Sequence, residues 1–212
     1  MIERIKAVAI EEVLNQTFAT TQQYLARHQV ELEAGKPKVE SVIFLTDCKS
    51  VVFFTIQNER FFLAVYLEDL QVQWVSIEDH HQVYFRATSE HLSFTELQAM
   101  TTLIASRGWS KGDQRRNSQT YYSFSALHLE PNIERMLPFD RQLRNLLDTL
   151  EQDIEGIFAL GNQADTSINV CAYGYVGNGA IGGYHLDRET MKRIVNLGLS
   201  IDFDLYVSGE WL

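Results

Sequence analysis

Four apolar runs rich in β-branched and aromatic residues, Val42 to Leu45, Val51 to Ile56, Phe61 to Leu67 and Val72 to Ile77, follow one another with short polar breaks such as Asp47-Cys48-Lys49-Ser50 and Gln57-Asn58-Glu59. Runs of this length and composition read as strands. Breaks that short join antiparallel neighbours, because a parallel return needs a dozen or more residues. The stretch therefore predicts an antiparallel meander. Ahead of it, Ile10, Val13, Leu14, Thr17 or Phe18, Thr21, and Tyr24 or Leu25 recur at helical spacing, which predicts one amphipathic helix over residues 1–28, stopped by Gly35 and Pro37. No run approaches the roughly 20 apolar residues of a membrane-spanning helix, so no membrane partner is expected. Met1 to Lys6 shows no basic segment leading into an apolar one, and no secretion signal is expected.

Glu78-Asp79-His80-His81 interrupts the apolar pattern and predicts a polar loop and a boundary, dividing the chain into residues 1–81 and 82–212. Beyond it lie a strand, Val83 to Thr88, and Ser93 with Glu96 three residues later, a capping box opening a helix that should run from Phe94 to about Ser106 and stop at Gly108. Tyr121 to Leu127 reads as a strand. Leu143, Leu146, Leu147, Leu150, Ile154, and Ile157 or Phe158 carry the strongest helical period in the chain, with Arg144, Asp148, Glu151 and Glu155 facing outward and Gly161 as the stop. Asn178-Gly179 between Ile168 to Val176 and Ile181 to Leu186 predicts a hairpin. Asp187 caps a last helix, Gly198 closes it, and Ser200 to Val207 is a final strand. The class is α+β: a helix and meander, then a mixed or antiparallel sheet with two or three helices on one face.

With 45% hydrophobic and 11% aromatic residues the chain should fold throughout. Its 18 Lys and Arg against 28 Asp and Glu give a formal charge of -10, which opposes nucleic acid and favours a cationic protein partner. Two cysteines, Cys48 and Cys171, form no disulfide framework; each reads as a buried structural thiol, and a cytoplasmic home follows most simply.

The strand Val83-Tyr84-Phe85-Arg86-Ala87-Thr88, the helix start Phe94-Thr95-Glu96-Leu97, the loop Trp109-Ser110-Lys111-Gly112-Asp113, the strand Tyr121-Tyr122-Ser123-Phe124, the helix over 143–150 and the tail from Leu197 to Tyr206 occur in an order that resembles the bacterial domain of unknown function 4279 family. The chain departs from the family pattern at Ile104 to Gly108, where a Leu-Gly-x-x-Pro stop is usual, and in opening the following strand with tyrosines where Trp is common. The resemblance transfers no catalytic residue. It implies a small bacterial α+β domain of a kind expected near toxin and immunity gene clusters.

Alternation in the final strand sets Ser200, Asp202, Asp204 and Tyr206 on one face and Ile201, Phe203, Leu205 and Val207 on the other. Asp202 and Asp204, with Tyr206, are the candidate interaction surface. A carboxylate pair could also serve a metal-dependent or acid/base hydrolase, though a solvated strand face is the plainer reading. Arg107, Lys111, Arg115 and Arg116 beside Trp109 form the locally basic segment, a candidate anion or small-ligand loop. His80 and His81 are adjacent and unaccompanied by a second spaced pair, so no metal is expected there. The glycines from Gly174 to Gly183 lack the Gly-Lys-Ser/Thr ending of a phosphate loop, and no cofactor is expected. The reading that emerges is a non-enzymatic interaction module, most concretely an immunity protein that covers a cationic toxin domain with an acidic surface.

Overall fold

In the computed structural model, which describes residues 1–131, 136–178 and 183–210, the chain opens with two helices rather than one, α1 (Ile2–Asn15) and α2 (Ala19–Leu25). Gln16 takes φ 52° and ends α1. The reason is Glu12. Its buried carboxylate accepts from the Thr21 hydroxyl at 2.6 Å, from the Phe18 amide at 3.1 Å and from the Thr17 hydroxyl, so it supplies the start of the second helix with an acceptor. The apolar period survives the break because both helices pack on the same sheet.

The meander forms as expected. After a small hairpin of β1 (Leu32–Glu33) and β2 (Lys36–Pro37), the strands β3 (Val39–Phe44), β4 (Lys49–Thr55), β5 (Phe62–Glu68) and β6 (Gln71–Glu78) pair antiparallel in sequence order. Ile5, Ala9 and Val13 of α1 cover one face of this sheet against Val52, Phe54, Leu63, Val65, Val75 and Ile77. On the other face Phe53, Phe62 and Ala64 pack with Met136.

A single residue, Asp79, separates β6 from β7 (His80–Ser89), which belongs to the second sheet. His80 and His81 therefore sit in a strand and not in the expected polar loop. Then come α3 (Phe94–Gln98), β8 (Arg107–Trp109), β9 (Ser125–Leu129), α4 (Phe139–Leu150), α5 (Ile154–Gln163), β10 (Asp165–Tyr175), α6 (Arg188–Asn196) and β11 (Ser200–Ser208). The five-stranded order is β11-β10-β7-β9-β8, with β10 and β11 parallel and the other pairs antiparallel. Helices α3 to α6 all contribute to one core, in which Leu97, Leu143, Leu147, Leu160 and Ile194 meet Val83, Phe85, Leu127 and Val170. The architecture is α+β, a mixed sheet with its helices on one face.

Several boundaries differ from expectation. The capping box of Ser93 and Glu96 is present, but α3 ends at Gln98, whose side chain donates to the Leu103 carbonyl at 2.7 Å and accepts from the Ala105 amide at 3.0 Å, turning the chain. Gly108 is not a helix stop. It lies in β8 beneath Phe94, where an added Cβ would stand 2.1 Å from the ring. The strand expected from Tyr121 starts later, at Ser125, and Tyr121 makes only an isolated bridge to Gln114. The expected hairpin does not form: Val176–Asn178 is a single 3-10 turn, β10 pairs with β7 and β11, and Gly183 to Leu186 have no regular structure, while Gly179 to Gly182 lie outside the described residues. The last helix is capped as expected by Asp187, which accepts from the Thr190 amide at 2.8 Å. It closes at Gly198, φ +68°, where the Gly198 and Leu199 amides donate to the Val195 and Ile194 carbonyls.

The long amphipathic helix is also broken, by Asp153. This carboxylate caps α5 by accepting from the Gly156 amide at 3.0 Å and holds the end of α3's loop through the Thr101 hydroxyl at 2.7 Å and the Thr102 amide at 2.6 Å. Gly161 lies within α5. Hydrogen bonds from Thr101 above all, then from Thr102 and Gly156, depress the Asp153 carboxyl to about 2. Asp153→Ala is expected to cost about 2 kcal/mol at neutral pH, combining a lost cap with lost charged hydrogen bonds. Because the folded pKa is depressed, this contribution is full above the unfolded value of 3.8 and is lost as pH falls toward 2. Urea unfolding of both proteins at pH 7 and near pH 2.5 checks this; an equal gap at the two pH values would rule the charge out as its source.

Candidate functional site

With the helices on one side, the opposite face of the five-stranded sheet is left uncovered by any of them. Strand pairing puts Ser167, Asn169, Cys171 and Tyr173 of β10 between Ser200, Asp202, Asp204 and Tyr206 of β11 and Arg86, Tyr84, Gln82 and His80 of β7. His128 of β9 and Arg107 of β8 continue the row. The face is polar and aromatic from edge to edge. Tyr206 stacks on Tyr173 at 5.1 Å, Arg60 lies 4.5 Å over the Tyr173 ring, and Tyr84 stacks on His128 at 4.8 Å. Burial, with Cys171 beside it, pushes the Tyr84 phenol up to about 12.

The candidate carboxylates lie at one end of this face. Asp202 and Asp204 are exposed and enter no ion pair among the described residues; Asp204 has only a weak 3.9 Å contact with the Cys171 sulfur. Their strand is the sheet's edge, so its outer backbone groups have no strand partner among the described residues. Leu205, Tyr206 and Val207 are each about half exposed, at 48%, 50% and 51%. An edge carrying carboxylates on one face and, beyond a Phe203 packed on Tyr184 and Phe139, exposed Leu205 and Val207 on the other is an unusual surface to leave bare.

The basic residues lie at the opposite end. Arg107 and Arg115 sit 5.2 Å and 5.0 Å over the rings of Trp109 and Tyr122, which stack on each other at 4.5 Å. Trp109 also donates its indole N–H to the Phe124 carbonyl at 3.0 Å, so the ring serves as a structural post of the loop. Lys111 reaches the Glu90 carbonyl at 3.2 Å, and Arg116 is exposed. The structure thus keeps Asp202, Asp204 and Tyr206 together, keeps Trp109 and Arg115 together, and holds the two sets on opposite edges of one sheet.

Glu78 to His81 do not converge. Glu78 accepts from Tyr66 and Ser76 at 2.8 Å and 2.6 Å, His80 faces the open side near Tyr173, and His81 faces the helices beside Phe139 and Tyr184. Among the described residues no three His, Cys, Asp or Glu are grouped to hold a metal ion. Cys171 is buried, as expected, but Cys48 is exposed, because it lies in the turn between β3 and β4. Sequence reasoning missed Tyr84, Tyr173 and His128 on the open face, although the alternation of polar residues along His80 to Thr88 was the available signal.

No helix among the described residues is long and apolar enough to cross a membrane. Comparison with curated proteins and with solved structures returns no match. The family model described as Domain of unknown function (DUF4279) matches residues 78–208, which begins at the last residue of β6 and takes in the whole five-stranded sheet, its helices and the β11 edge. That span is more than half of the chain, and the protein belongs to this family.

Proposed function

We propose that this chain is a protein-interaction module whose docking edge is β11, and most concretely an immunity protein that neutralises a cationic toxin domain in the cytoplasm. The observation that carries the reading is the state of that strand: outer backbone groups without a strand partner and Asp202 and Asp204 without an ion pair among the described residues, and exposed Leu205, Tyr206 and Val207, on one edge of a chain of charge -10. The occupant it fits is an extended, basic segment of a partner that adds a strand, its cations meeting the aspartates and its apolar side chains meeting the other face. A second copy fits poorly. Antiparallel pairing centred on Asp204 sets that residue against itself, and pairing centred on Phe203 sets Asp202 against Asp204, both unfavourable like-charge contacts. Trp109 supports a polyanion reading less, since its indole is already stacked and hydrogen-bonded.

Replacing Asp202 and Asp204 together by Asn is expected to leave thermal unfolding almost unchanged, because solvated carboxylates contribute little to stability. It should weaken binding of a peptide of alternating Lys and Val, monitored through the β11 amides by NMR, and flatten its salt dependence. In cells, a toxin domain from the same gene neighbourhood should be neutralised by the parent chain and not by the double variant. Unchanged affinity and salt slope would remove these aspartates from the interface, and turnover of a substrate abolished by either single change would favour the hydrolase.

A further inference from the structure

Where the two sheets meet, a cavity of about 530 Å³ opens on the helix side, away from the β11 edge aspartates. Among its lining residues is Asp79, half-buried, in the space that a side chain on Gly174 would take: an added Cβ there would stand 3.1 Å from a carboxylate oxygen. This carboxylate makes no hydrogen bond or ion pair among the described residues. Three rings wall the cavity. Tyr184 stands edge-on to His81 at 5.5 Å and to Phe139 at 5.2 Å, and its hydroxyl is buried with no partner among the described residues. Arg144, the one arginine or lysine among the described lining residues, is already engaged by Asp187 at 3.0 Å and Asp140 at 3.9 Å. The concavity therefore combines excess negative charge, aromatic faces and an uncompensated carboxylate.

We propose that this cavity binds an alkylammonium or guanidinium group, with Asp79 as the counter-charge and Tyr184, Phe139 and His81 as the aromatic walls. A carboxylate withdrawn from water without a partner is costly, and an organic cation restores the lost interaction while its weakly hydrated faces lie against the rings. An anion would meet Asp79, Asp140 and Asp187, and a neutral ligand would leave Asp79 as it is. Burial first, then Glu78, already holds the Asp79 carboxyl above its ordinary range, in keeping with a site short of positive charge.

Two probes test the site by calorimetry and by NMR of the His81 ring: agmatine for a free small molecule, and acetyl-Gly-Arg-Gly-amide for a side chain presented by a protein. Saturable binding of either, with a dissociation constant below about 1 mM, is expected. Asp79→Asn should weaken it roughly tenfold or more, the loss of one ion pair in a partly dry site, and Tyr184→Leu should weaken it as well. Should Asp79→Asn fail to fold, the Tyr184→Leu variant decides. Agmatine alone binding assigns a small molecule and peptide binding assigns a partner's side chain; both uphold the site. The variant lacking Asp202 and Asp204 should bind agmatine as the parent does, which separates this cavity from the β11 edge. No saturable binding of either probe, or affinity unchanged in a folded Asp79→Asn or Tyr184→Leu variant, would overturn the proposal.

Discussion

Shortening Leu147 to alanine is expected to lower the unfolding free energy by about 2–5 kcal/mol, through lost transfer energy and the cavity left behind. Leu147 is fully buried on α4, in the cluster with Leu143, Leu146 and Leu150 that faces Val83 and Phe85 of β7. The helix is held on both sides, by the sheet below and by α6 alongside, so the space cannot collapse easily. A useful control is exposed Glu155 on α5, where Ala should change stability by less than about 0.5 kcal/mol. Glu151, which the period marks as outward and solvated, is not such a control. Both of its carboxylate oxygens engage Arg193, at 2.7 Å and 2.8 Å, and Arg193 also reaches Asp148 at 2.6 Å, tying α4 to α6. Glu151→Ala should therefore cost up to about 1 kcal/mol. Urea unfolding measures all three, and a Leu147→Ala effect no larger than that of Glu155→Ala would show that the inward face of α4 is misassigned.

What was legible in the sequence follows from how locally each feature is determined. The meander could be read because its turns are short and its strands carry their own composition. The Ser93 and Glu96 capping box, the Asp187 cap and the Gly198 stop are each settled within a few residues, and all three stand in the structure. The helix breaks were not legible, because distant or non-periodic side chains cause them. Asp153 leaves the helical run to bind Thr101 and Thr102 some fifty positions earlier, and apolar spacing carries no record of that bond. Gly108 looks like a terminator in isolation, whereas its smallness serves the ring of Phe94. The same distinction runs through the sites. Asp202, Asp204 and Tyr206 share a face by strand alternation alone, so their grouping was visible. The cavity at Asp79 needs β7, the start of α4 and the segment before α6, brought together only by the fold.

Lowering the pH from 7 to 4 is expected to destabilise the fold by about 2–5 kcal/mol through two histidines kept neutral. Burial alone depresses His81 to about 4, and burial aided by Arg107 and Arg86 does the same to His128. His128 is 8% exposed, packed between Tyr84 and Trp109, and its Nε2 has no partner among the described residues to stabilise a proton. The sign follows from where protons bind. Between the unfolded value of 6.5 and the folded value near 4 the unfolded chain takes up protons that the folded chain refuses, so stability is complete above 6.5 and falls with pH across that window. The full shifts would give about 3 kcal/mol for each ring, and the partial exposure of His81 brings the total below their sum. His128→Phe keeps a flat ring between Tyr84 and Trp109 without a titrating nitrogen, so its stability should depend less steeply on pH between 6.5 and 4. Unfolding curves across that range, with the ring protons of both histidines followed by NMR, decide the matter. A His128 ring that titrates near 6.5 in the folded protein, or a Phe variant whose pH slope matches the parent's, would remove this residue as the cause.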